Sequence, residues 1–127
     1  MICNKEVYDG GVEKLGCTSY AFGNYNHQTA NAWEYTGDSF TVPSEETWLI
    51  SFYCGWTNSA CTGLWIASVN ADIAANNIVA RFELPSDATR KCILRTPAFM
   101  LPSGTYYIWE NRVGTGNNKI QMFYKRI

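Results

Sequence analysis

Residues 47–56 read Thr47-Trp48-Leu49-Ile50-Ser51-Phe52-Tyr53-Cys54-Gly55-Trp56. The even positions, Trp48, Ile50, Phe52, Cys54 and Trp56, are all apolar, and the odd ones include Ser51, Tyr53 and Gly55. Side chains of an extended chain point alternately to opposite faces, so this alternation predicts a strand with one face on a core.

Working outward, the same pattern returns in short pieces. Before this stretch, Pro43-Ser44-Glu45-Glu46 has turn chemistry and ends a short strand over 38–42, and a first strand is expected over 18–25. After it, residues 57–63 turn into a hairpin partner over 64–70. Residues 71–77 read as a loop, being too short for an isolated helix. Residues 78–84 alternate again, with Ile78, Ala80, Phe82 and Leu84 against Arg81 and Glu83. A strand over 90–96 meets Pro97, which limits it to an edge or a bend, and Pro102-Ser103-Gly104 reads as a tight turn. Residues 105–112 and 119–127 complete the series. About eight strands at spacings near ten residues, with no helical pattern between them, predict an all-β fold, an antiparallel two-sheet jelly-roll sandwich. The sandwich is expected over 18–127, and residues 1–17, rich in charge and glycine, as an N-terminal arm or attachment segment.

The 127-residue composition agrees: 46% hydrophobic, with five Trp, eight Tyr and six Phe, suits pleated sheets. This length is ordinary for one domain with its own core. The net charge of -1 argues against nucleic acid or an anionic bilayer as partner, because each requires a concentrated excess of Lys and Arg. No apolar run approaches the roughly 18 residues that cross a bilayer, and the N-terminus lacks the order of a secretory signal. The five cysteines, Cys3, Cys17, Cys54, Cys61 and Cys92, are therefore expected in a reducing compartment, with at least one thiol unpaired. No pair has zinc-type spacing, so neither a metal nor a cofactor is expected. Cys54 and Cys61 flank a turn and could meet across it.

Residues 105–112 carry an oddity. Tyr106 and Ile108 lie on one face, Tyr107 and Trp109 on the other, so both faces are apolar and each needs cover. A second copy of the chain is the economical cover for a protein of this size.

Catalytic chemistry finds little here. The single histidine, His27, has no nearby carboxylate before Glu34, and no nucleophile elbow or phosphate loop occurs. Glu45 and Glu46 point to opposite faces of an extended chain, unlike a glycosidase pair. The protein is read as a non-enzyme. Candidate ligand-binding residues are Tyr25 and His27, in a polar and aromatic loop, and Trp33 and Trp56, which stand beside polar loops where an indole could stack on a sugar ring. Trp48 and Trp65 are expected in the core.

Tyr20-Ala21-Phe22-Gly23, Asp38-Ser39-Phe40-Thr41-Val42-Pro43 running into Thr47-Trp48-Leu49-Ile50-Ser51, and Leu101-Pro102-Ser103-Gly104-Thr105-Tyr106-Tyr107-Ile108-Trp109 together resemble the tumour-necrosis-factor-like jelly roll of complement-type heads and phage fibre tips. The family's Phe-Ser-Gly near the last strand is replaced by Lys119-Ile120-Gln121-Met122-Phe123, which points to a phage or bacterial relative. The resemblance implies a homotrimer with Tyr107, Trp109 and Phe123 at the contact, serving as a virion fibre or spike head that binds a host-surface receptor or glycan. The alternative is a bacterial carbohydrate-binding module or lectin, extracellular or at the cell surface, since such sandwiches share the Pro-x-Gly-Thr-Tyr-Tyr segment.

Overall fold

The computed structural model describes residues 17–23, 25–55, 60–84, 94–117 and 119–127. The expected arm except Cys17, the turn at 57–59, most of the strand expected over 90–96 and Trp56 lie outside the described residues.

The fold is an antiparallel β-sandwich. Its strands are β1 (Thr18–Ala21), β2 (Asn26–His27), β3 (Trp33–Gly55), β4 (Cys61–Ala67), β5 (Ile78–Glu83), β6 (Leu94–Arg95), β7 (Phe99–Arg112), β8 (Gly116–Asn117) and β9 (Lys119–Arg126). A 3-10 turn, Ala75–Asn77, precedes β5. Strands run in the order β1-β9-β3-β7-β4-β5, β6 pairs with β3, and β2 pairs separately with β8.

Two long strands build both layers. β3 and β7 pair antiparallel from Trp33↔Asn111 to Ile50↔Phe99, and the pairing slips between Val42↔Gly104 and Thr47↔Pro102. At that slip the ribbon folds over. Pro43 to Glu46 on one strand and Pro102 to Gly104 on the other were expected to separate strands; they bend continuous ones instead. The backbone there adopts positive φ at Glu45 (67°) and Gly104 (152°), which lets the ribbon fold sharply without losing its pairing on either side. The first layer consists of β1, β9, the C-terminal part of β3, and β6 with the start of β7. The second consists of the N-terminal part of β3, the rest of β7, β4 and β5.

The inward faces meet in one core. Ile50, Phe52, Cys54, Ile120 and Met122 from the first layer face Phe40, Val42, Leu64, Ile66, Tyr106 and Ile108 from the second. Phe40 and Phe52 touch across the layers with ring centroids 5.9 Å apart, as do Phe82 and Phe99 at 5.1 Å. The alternation of residues 48–54 is thus a core face, as expected, and Trp48 at its outer end is half-buried.

Among the described residues no helix is long and apolar enough to cross a membrane. Cys17 is disulfide-bonded, in contrast to the expectation of a reduced set, whereas Cys54 and Cys61 are free thiols.

Candidate functional site

The outward face of the second layer carries a row of aromatics. Cross-strand partners in a sheet share a face, and the register aligns Arg81, Trp65, Trp109 and Tyr35 across β5, β4, β7 and β3. The neighbouring rows add Trp33 beside Asn111, and Tyr107 beside Ser39. Trp33 lies parallel to Trp65 with centroids 3.7 Å apart, and the Arg81 guanidinium stands 5.4 Å from the Trp65 centroid. The Trp65 indole N–H donates to Glu83 Oε1 at 3.2 Å. Tyr35 contacts both Tyr107 (5.9 Å) and Trp109 (5.8 Å). Trp33, Tyr35, Trp65 and Tyr107 are half-buried, so part of each ring meets solvent.

This face answers the oddity of residues 105–112. Trp109 is only 8% exposed, and its indole N–H donates to the Val69 carbonyl at 3.0 Å. Much of the apolar outer surface is therefore covered by its own neighbours within one chain. Trp65, expected in the core, belongs to this outer face. Its position was readable from Leu64 and Ile66, which take the inward register on either side of it.

A second aromatic feature lies at the open edge of the sandwich. Tyr20, Phe22, Trp48, Met122 and Tyr124 line a cleft of about 210 Å³ that is closed on one side by Ser39, Phe40 and Thr41 of β3. Trp48 stacks on Tyr124 at 4.1 Å, and Tyr20 is 56% exposed.

The loop residues expected to bind a ligand do something else. His27 is 1% exposed, and its Nδ1 lies 2.9 Å from Glu110 Oε2. Its Nε2 is 3.3 Å from Glu34 Oε2, close enough for charge attraction but off line for a hydrogen bond. Glu110 Oε1 accepts from Arg112 Nε at 3.3 Å, and Arg112 Nη2 donates to the Gly55 carbonyl at 3.1 Å. Glu34 in turn accepts from the Tyr25 hydroxyl (2.7 Å) and from the backbone N–H groups of Gln28 (3.0 Å) and Thr29 (2.7 Å). The network fastens residues 25–29 onto the end of the sandwich.

Burial alone would push the His27 pKa down, but the hydrogen bond and charge of Glu110, with the charge of Glu34, overcome it and hold it above the ordinary histidine value. Burial likewise opposes the Glu34 charge, yet the Tyr25 hydroxyl, the two N–H donors and His27 hold its carboxyl below the usual range. Asp38, behind them, is pushed up by burial and by the negative Glu110.

His27 is thus corrected from a surface loop residue to a buried ion-pair hub, because its ring has no face left for a ligand. Phe123 is corrected as well: it is 3% exposed within the single chain and lies on β9 of the first layer, away from Tyr107 and Trp109. Of the candidate residues, Trp33, Tyr107 and Trp109 come together on one face, Tyr25 and His27 form the internal network, and Trp56 lies outside the described residues. Sequence reasoning missed Tyr35, Trp65, Glu110 and Arg112. Glu110 and Arg112 share the inward register of Tyr106 and Ile108, and two charges on an apolar face are the signal that identifies a buried pair.

No protein-family model matches the chain, and no curated protein matches it either. Among solved structures, a carbohydrate-binding module of the lichenase 5A of Cellvibrio mixtus, in complex with cellotriose, is similar at a TM-score of 0.42 and 14% identity, with 88% of each chain covered.

Proposed function

We propose that the protein is a non-catalytic carbohydrate-binding sandwich that takes a saccharide on the outward aromatic face of its second layer. The observation that carries this reading is the same-face group Trp33, Tyr35, Trp65 and Tyr107, partly open to solvent and bordered by Arg81, Glu83 and Asn111. A pyranose presents an apolar C–H face and a rim of hydroxyls, and a surface of flat rings edged by charged and amide groups complements both. Charged neighbours of each sign supply donors and acceptors for the rim.

The test is retention on a panel of soluble polysaccharides in native gels, followed by calorimetry on any that retards the protein. Loss of one stacking ring weakens binding by about tenfold or more, taking about 1.5 kcal/mol per aromatic contact. Trp33→Ala and Tyr35→Ala are therefore expected to lose retention, and Tyr20→Ala in the edge cleft to keep it. The reverse pattern would move the site to the cleft, and no retention by any polysaccharide would remove the reading.

The trimeric fibre-head reading required Tyr107, Trp109 and Phe123 to share a contact between copies. Trp109 and Phe123 are buried within one chain and stand on different layers, which speaks against that shared contact. A mass near three chains in sedimentation would restore it.

A further inference from the structure

Cys54 and Cys61 belong to opposite layers. Cys54 is near the end of β3 in the first layer, paired with Ile120 and Leu94, and Cys61 opens β4 in the second, paired with Arg112. Both side chains are fully buried and point into the core, and their sulfur atoms lie within 4.8 Å of each other and of a Glu110 carboxylate oxygen. The Arg112 guanidinium donates to the Cys54 sulfur at 3.5 Å, and the Cys61 thiol donates to the Gly63 carbonyl at 3.3 Å.

Two sulfurs and a carboxylate so close could hold a soft divalent cation, or the sulfurs could join. The surroundings decide between these. Both Glu110 oxygens already serve His27 and Arg112, and the Arg112 charge sits against the sulfur a cation would need. A cation there would face that charge in a medium that screens little. A disulfide adds no charge and leaves the ion pairs intact.

We infer that Cys54 and Cys61 are a disulfide-forming pair that bolts the two layers together at the end of the sandwich occupied by the His27, Glu110 and Arg112 network. The step breaks two S–H bonds and forms one S–S bond. The two electrons pass to a small-molecule disulfide such as oxidised glutathione, which takes up the two protons, directly or through solvent, and leaves as two thiols. Because neither sulfur reaches solvent in the folded chain, exchange takes place as the chain folds. The disulfide at Cys17 is a separate bond, since Cys54 and Cys61 are free of it.

The experiment refolds the reduced full chain in glutathione buffers from fully reduced to fully oxidised. Remaining thiols are alkylated in denaturant, and cysteine peptides are mapped by mass spectrometry. Cys54 and Cys61 are expected to lose alkylation together and to appear as one linked pair. A Tm higher by on the order of 10 °C than that of the reduced form should accompany the bond, as closing a loop this short implies. In Cys54→Ala refolded the same way, Cys61 should remain alkylatable. Pairing of either with another cysteine, single glutathione adducts, or full alkylation of both in the oxidised buffer would overturn the inference. So would protection of both thiols by zinc chloride alone in reducing buffer, which would make the site a metal centre.

Discussion

The indole of Trp33 lies on that of Trp65 with planes 8° from parallel, and the Trp33 ring rests over Gly63, where the backbone passes so close that a Cβ would run into it. Glycine at 63 is therefore what permits the stack. Gly63→Ala should lift Trp33 off its partner. Glycan retention is expected to fall by about tenfold, with a stability loss of about 1–3 kcal/mol from overpacking, read by calorimetry and urea denaturation on the same sample.

The Trp109 ring is enclosed by its own chain, so its removal should be felt by the single protomer. Trp109→Ala is expected to cost about 3–5 kcal/mol, as large-to-small changes at buried aromatic sites do, with no change in sedimentation mass. Phe52→Ala, in the centre of the core, should fall in the same range.

Arg112 and Glu110 are both fully buried and bonded to each other at 3.3 Å. Removing one charge leaves the other uncompensated in a low-dielectric interior. Arg112→Met is expected to destabilise by about 3–5 kcal/mol, measured by chemical denaturation, and the double change with Glu110→Gln to lose less than the sum of the two single changes.

The pH dependence follows from His27 and Glu34. The raised His27 pKa means that folding favours the imidazolium. That contribution is whole below the ordinary histidine value of about 6.5 and is lost as pH climbs through the folded-state value above it. The lowered Glu34 pKa contributes stability above the ordinary value of about 4.3, lost as pH falls through the folded-state value beneath it. Urea midpoints of His27→Gln should lack the decline of the native chain on the alkaline side. An unchanged alkaline decline in that variant would mean that His27 is not its source.

The strands of this sandwich were largely legible in the sequence, because alternation in residues 48–54 and 78–84 reports burial directly. The bends at Pro43 and Pro102 were legible as breaks but not as folds in continuous strands: proline and glycine chemistry looks the same in both, and only the facing register shows which. Trp33 reads as an accessible indole, and Tyr35 two positions on shares its face by simple alternation, but its stacking partner Trp65 belongs to β4, and no local pattern joins the two. His27 looked isolated for the same reason. Its strongest partner, Glu110, is 83 positions distant, and a polar stretch around a histidine reads as a surface loop until that carboxylate is placed beneath it.

The folded-over ribbon of β3 and β7 has a mechanical consequence. Since the same two segments supply strands to both halves, neither half owns a complete set of hydrogen-bonding neighbours, and the halves cannot peel apart like facing pages while staying intact. Loss of order at the crease propagates both ways, so the domain melts as one cooperative body, and a peptide cut at that crease would disable both halves at once.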